Sequence, residues 1–283
     1  MNSEVCASCG ESLTGKYCQK CGEKKFDKSE FTVMNYAGQL LYNLTHFESK
    51  IWKSLYLLCF KPGEITINYL KGKRIFYVKP VQFFLLVNIF YFFVLNYVGY
   101  DVFTSSPDDY MNKDLMGSIF TALINNKVKS ENLSFDEYTM DFYNHNYIQS
   151  KLLIILMIPM ISLALYFLYP KSKKLFFEHM IYSTHYLTFI LFFITVFLNL
   201  IFLLAYLIKK LFFNEDSGFI FQNEFGMAVT AITASIYAYL SLKKVYGQSE
   251  LLTIVKTILF MISLIIITDI YRIILFFTSF YLT

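Results

Sequence analysis

Five stretches of the chain are apolar for long enough to cross a bilayer: residues 81–98, 152–169, 187–208, 225–242 and 251–280. A helix needs about 20 predominantly apolar residues to span a hydrocarbon core of about 30 Å. Pro80 opens the first stretch and Pro170 closes the second, which carries Pro159 as a tolerated kink. The third is almost wholly apolar, and its helix is expected to begin earlier, near Leu175. In the fourth, Gly226, Thr230, Ala234 and Ala238 recur every fourth position, a stripe suited to close helix packing. Lys256, Asp269 and Arg272 interrupt the fifth, so two windows fit it. Residues 257–280 put the charged pair near mid-membrane; residues 251–268, with Lys256 snorkelling, put it at the outer end.

The pattern ahead of the spans is different. Val33, Tyr36, Leu40, Leu41, Leu44, Phe47, Ile51 and Leu55 recur at helical spacing among polar residues. That predicts one or two amphipathic helices, stopped by Pro62-Gly63. Residues 31–80 therefore read as an interfacial collar, ending in Lys71-Gly72-Lys73-Arg74 and Lys79-Pro80 beside Tyr69 and Tyr77. Basic and aromatic residues next to a span mark the headgroup region, so no nucleic-acid partner is expected. Residues 99–150 lack a long apolar period. They predict an external loop with a short helix over 110–125 and a capping-box start at Ser134-Phe135-Asp136-Glu137.

Composition supports a chain dissolved largely in lipid: 56% of its 283 residues are hydrophobic and 16% charged. Soluble domains carry about 25% charged residues, so a soluble enzyme and a disordered chain are excluded. The net charge of +4 is too small to signal a partner, but its distribution is informative. Residues 1–80 hold 12 of the 25 Lys and Arg, whereas residues 99–150 hold three Lys against eight acids. The positive-inside rule then puts the N-terminus in the cytosol and the C-terminus outside.

The first thirty residues are polar and carry two matched knuckles, Cys6-Ala7-Ser8-Cys9-Gly10 and Cys18-Gln19-Lys20-Cys21-Gly22. A two-residue gap lets both thiolates of a knuckle reach one ion, and the glycine permits the turn that follows. Cys6, Cys9, Cys18 and Cys21 are expected to hold one Zn²⁺ per chain in a closed, structural site. Two disulfides, an iron centre and a redox C-x-x-C are the competing readings. Reduced thiolates also suit a reducing compartment, in agreement with the charge argument. Cys59 reads as a packed apolar residue.

Polar residues at membrane depth are the other candidates. Glu178, His179, Tyr182 and His185 lie near the start of the third span. Glu178 and His185 are seven apart on one helical stripe with Tyr182 between them, whereas His179 and His185 diverge. The H-E-x-x-H pattern of a metal-dependent hydrolase is absent. Hydrogen bonds into the bundle are the first reading, and a proton or metal site is the second. Asp269 and Arg272, three apart, can pair along their helix. Asn88 reads as an interhelical hydrogen-bonder.

Several motifs resemble, in order over about residues 6–210, a bacterial family of multi-pass membrane proteins, domain of unknown function 3667. They are the paired knuckles with Gly15-Lys16-Tyr17 before Cys18, Lys61-Pro62-Gly63-Glu64-Ile65, Tyr69-Leu70-Lys71-Gly72-Lys73-Arg74 followed by Tyr77 and Pro80, and Phe177-Glu178-His179 followed by His185. The resemblance implies an inner (plasma) membrane protein with a cytosolic zinc ribbon, and brings no established activity. The expectation is thus an all-α integral membrane protein in three parts: a zinc ribbon over 1–30, amphipathic interfacial helices over 31–80 and a membrane domain over 81–283. The leading functional reading is a non-enzymatic scaffold, sensor or assembly factor of unknown activity, its ribbon a structural or protein-interaction module, with the lipid bilayer and a protein docked at the ribbon as expected partners. The alternatives are a transporter or channel, or a membrane-embedded metal-dependent enzyme, using Glu178, His179 and His185.

Overall fold

A computed structural model describes residues 5–6, 9–12, 14–15, 17–20, 49–98, 102–112, 116–213 and 223–283. Cys21 and the amphipathic pattern over 31–48 lie outside the described residues. The chain divides into two compact units, Met1–Lys50 and Ile51–Thr283.

The second unit is helical throughout. Helix α1, residues 49–60, leaves Trp52, Tyr56 and Phe60 exposed on one face and turns Leu57 and Leu58 inward. Lys61 lies beside this aromatic stripe, its ammonium 5.7 Å over the Tyr56 ring. Pro62-Gly63 ends α1 and starts α2 (Glu64–Leu70). Gly63 is needed there twice over. Its φ is 79°, and a Cβ would lie 2.9 Å from the Ser241 carbonyl oxygen. The Ser54 hydroxyl accepts from the Val78 N–H at 3.1 Å, which ties α1 to the approach of the first span.

Five helices are long and apolar enough to cross a membrane: Arg74–Val94, Phe135–Leu168, Phe176–Ile208, Phe225–Tyr246 and Glu250–Leu282. Within them, α3 runs Pro80–Val98. Next come α4 (Pro107–Met111), α5 (Gly117–Glu131) and α6 (Phe135–Leu153). A 3₁₀ turn at Ile154–Leu156 joins α6 to α7 (Met157–Leu168). The turn sits one helical turn ahead of Pro159, whose missing N–H leaves the Ile155 carbonyl without its i+4 donor. Helix α8 (Phe176–Phe192) passes through a π-helical stretch, Phe193–Leu198, into α9 (Asn199–Phe213). The last two are α10 (Asn223–Tyr246) and α11 (Glu250–Leu282).

The segment expected as an external loop is mostly helical. Tyr110 belongs to α4, and α5 begins only at Gly117, where a Cβ would collide with the Met111 carbonyl oxygen. The capping box at Ser134 and Glu137 forms, but the helix it opens runs on into the second span as one 34-residue rod. Its inward stripe is Tyr138, Phe142, Asn146 and Ser150, only half apolar. The polar half is satisfied by partners far away in the chain. Asn146 accepts from the Ser105 N–H at 2.9 Å and donates to the Ser279 hydroxyl at 3.1 Å.

Helix α8 is the centre of the bundle, packed against α2, α3, α7 and α10. Tyr182, Tyr186 and Phe189 are all buried on it, and the Phe189 ring stacks on Tyr237 of α10 at 3.6 Å. Ala234 and Ala238, two of the small residues on α10, are buried as well. Outward-facing positions on α11, among them Leu251, Ile258 and Ile265, are exposed and apolar, a surface suited to lipid. A second cluster caps the other end of α11, where Phe276 meets Phe120 at 4.4 Å, Tyr110 at 5.0 Å and Phe142 at 5.8 Å. Phe276→Ala is expected to cost about 3–5 kcal/mol. The measurement is hydrogen exchange of α4 and α5, which should quicken while exchange in α8 stays unchanged.

Candidate functional site

Val5 and Ser12 form an antiparallel bridge, and the Cys6 N–H donates to the Glu11 carbonyl at 2.8 Å. The Gly10 N–H donates back to the Cys6 carbonyl at 2.9 Å, with Gly10 at φ 74°. These bonds close the first knuckle as the Cys-x-x-Cys-Gly spacing requires. Lys20 pairs with Glu11 at 3.3 Å, and Gln19 donates to the Thr14 hydroxyl at 2.9 Å, so the second knuckle is tied to the hairpin. Cys6 and Cys18 are buried and Cys9 is exposed.

The sulfurs of Cys6, Cys9 and Cys18 lie within 4.8 Å of one another, Cys9 and Cys18 at 3.5 Å. A covalent S–S bond is about 2.05 Å, so Cys9 and Cys18 are not bridged. In a tetrahedral site with metal–sulfur bonds of about 2.3 Å, sulfurs sit about 3.8 Å apart. The three residues therefore offer soft donors at the spacing of one thiophilic metal ion. Cys59 offers nothing comparable: burial pushes its thiol up to about 12, which keeps it protonated.

The polar residues of the third span are brought into contact with other elements, each by a separate hydrogen bond. His185 is buried, and its Nδ1 lies 2.9 Å from the Thr66 hydroxyl on α2. The Tyr182 hydroxyl meets the Ser241 hydroxyl on α10 at 2.7 Å. His179 Nδ1 meets the Tyr246 hydroxyl at the end of α10 at 2.6 Å. Glu178 does not join this set. Its carboxylate accepts from the Leu175 N–H at 2.8 Å, capping its own helix, and lies 3.9 Å from the Lys174 ammonium. One helical stripe placed Glu178 and His185 together, but the carboxylate folds back toward the helix start, where the first-turn N–H groups have no other acceptor.

Asp269 is exposed on α11, while the Arg272 guanidinium donates to the Val102 carbonyl at 3.3 Å. The Tyr110 hydroxyl in turn donates to the Arg272 carbonyl at 3.1 Å. Arg272 thus anchors α11 to the segment that follows the first span. Asn88 donates from α3 to the Lys151 carbonyl on α6 at 2.8 Å.

Sequence patterning did not reveal Tyr246 and Tyr169. Their rings stack at 3.7 Å; His179 stacks on Tyr246 at 5.7 Å, and the Lys256 ammonium sits 4.1 Å over the Tyr169 ring. The only sequence signal is a tyrosine at the last turn of each of two apolar helices, where an amphipathic ring is commonplace. Glu64, at the start of α2, is ion-paired with Lys244, whose hydrogen bond holds the carboxyl below its usual range.

Thr66→Val should cost about 1–3 kcal/mol, because it strands a buried imidazole nitrogen. The double variant Thr66→Val, His185→Phe should cost less than Thr66→Val alone, as measured by unfolding in detergent. Additive losses would show that the two side chains act independently.

No curated protein and no solved structure matches the chain. Residues 48–92, from α1 into α3, match the model of the family described as Protein of unknown function (DUF3667), and over that stretch the chain is similar to this family.

Proposed function

We propose that the chain is a non-enzymatic scaffold or assembly protein of the bacterial inner membrane, carrying a cytosolic zinc head that serves as a folding staple and a docking knob. The convergence of the Cys6, Cys9 and Cys18 sulfurs carries this reading. Cys21 supplies the fourth thiolate, giving a closed site with no position for substrate. In a unit this small, metal binding supplies most of the folding free energy. Further support comes from the helical bundle. His179, Tyr182 and His185 each hydrogen-bond to a neighbouring helix, and Glu178 caps its own, an arrangement suited to holding helices together. Transport or hydrolysis through Glu178, His179 and His185 is therefore not favoured.

The orientation proposed is N-terminus in the cytosol and C-terminus outside. Lys61, Lys244 and Lys171 lie at the bundle end that carries α2 and the α7–α8 and α10–α11 connections, whereas α4, α5 and the start of α6 bear Asp108, Asp109, Glu131, Asp136, Glu137 and Asp141.

The purified full-length chain is expected to carry one zinc per molecule by elemental analysis; less than about half an equivalent after mild handling overturns the site. Cys9→Ser should lose the zinc and any protein recovered by pull-down from detergent, while the spans remain inserted. Loss of insertion would contradict a separable head. The orientation has its own check: Ser118→Cys, exposed on α5, should react with an impermeant thiol reagent in intact cells. Labelling only after the membrane is breached would reverse the topology.

A further inference from the structure

A cleft of about 350 Å³ opens between the start of α3 and helices α7 and α8. Its walls are apolar, with Ile158 on α7, Met180 and Ile181 on α8 and Val81 in the first turn of α3. Helix α7 gives way at this place: Pro159 is part of the wall, and the 3₁₀ turn at Ile154–Leu156 lies beside it. Two groups change the chemistry of the lining where α3 begins. Lys79 lines the cleft and is exposed. Tyr69 lines it too, and the Arg74 guanidinium lies over the Tyr69 ring at 5.2 Å while its Nε donates to the Tyr69 carbonyl at 3.5 Å. Lys79 immediately precedes the N-terminal turn of α3, whose first N–H groups have no carbonyl within their own helix, and Arg74 borders the cleft through Tyr69.

An apolar trough beside a span, with cations and a helix N-terminus where it begins, matches an anionic amphiphile. A free phosphate would leave the Ile158, Met180 and Ile181 walls unused, and a zwitterionic lipid would bring a cation of its own beside Lys79 and Arg74. The bilayer supplies a molecule with both parts. We propose that this cleft binds one anionic phospholipid, with an acyl chain along α7 and α8 and the phosphate held by Lys79 and Arg74 at the start of α3. The site depends on the chain spanning a membrane and is independent of the metal reading.

The test uses the full-length chain in neutral detergent, incubated with phosphatidylglycerol or phosphatidylcholine of the same acyl chains, with retained lipid counted by native mass spectrometry. Preferential retention of one phosphatidylglycerol per chain is expected. Lys79→Gln should lower that preference about fivefold, and Lys79→Gln with Arg74→Gln roughly thirtyfold. Lys79→Arg should keep it, which separates charge from any folding defect. Val81→Trp, at an exposed position of the wall, should fill the trough and reduce retention with the charges intact. Equal retention of the two lipids by the unaltered chain overturns the proposal. So does unchanged preference in the double variant, or displacement of the lipid by an equal concentration of glycerol 3-phosphate.

Discussion

A polar group carried into hydrocarbon must find its partner inside the protein, because no water is there to supply one. Helix α8 is built around that constraint. It carries His179, Tyr182, Ser183, Thr184, His185 and Thr188 in buried positions. Thr184 and Thr188 return their hydroxyls to carbonyls of their own helix, at 2.7 Å and 2.6 Å. Ser183 meets Ser162 of α7 at 3.0 Å, Tyr182 reaches α10, and His185 reaches α2. Each bond between helices selects one neighbour at one rotation, so the helix with the most buried polar side chains specifies much of the packing around it. Apolar contact alone cannot do this, since lipid tails are as apolar as leucine.

The same constraint explains the collar. Helix α2 is only seven residues long, too short to persist on its own. Besides burying Ile65 in the core, it is fixed by Thr66 on His185, by Glu64 on Lys244 and by the close approach of Gly63 to α10. Those three contacts lie within a stretch of four residues.

The spans were legible because continuous apolar runs have few interpretations, and the small-residue stripe of α10 is legible for the same reason: its period is strict. The gathering of Cys6, Cys9 and Cys18 was legible because a two-residue gap and a following glycine turn both thiols of a knuckle toward one point. The helices between the first two spans were not legible as they stand. Their inward stripes mix Tyr138 and Phe142 with Asn146 and Ser150, and a periodicity count registers only the apolar half. Partner identity was also out of reach. That His185 bonds Thr66, 119 positions earlier, and that Glu178 turns back to its own helix, depend on tertiary packing and rotamer choice, which no local pattern encodes. Tyr169 on Tyr246 is a further case, because a ring stack across two helix ends leaves no spacing to read.

The π-helical stretch between α8 and α9 sets how these two halves of one span relate. A wider turn accommodates an additional residue without ending the helix, and every position beyond it is rotated by about 100° relative to an unbroken α-helix. The half before Phe193 can therefore aim its hydroxyls and imidazoles at the bundle. The half after Leu198 turns Leu203, Leu204 and Leu207 outward into the acyl chains. The stretch works as a phase shifter, decoupling the wiring of the half that begins at Phe176 from the greasing of the half that ends at Phe213 within one continuous rod.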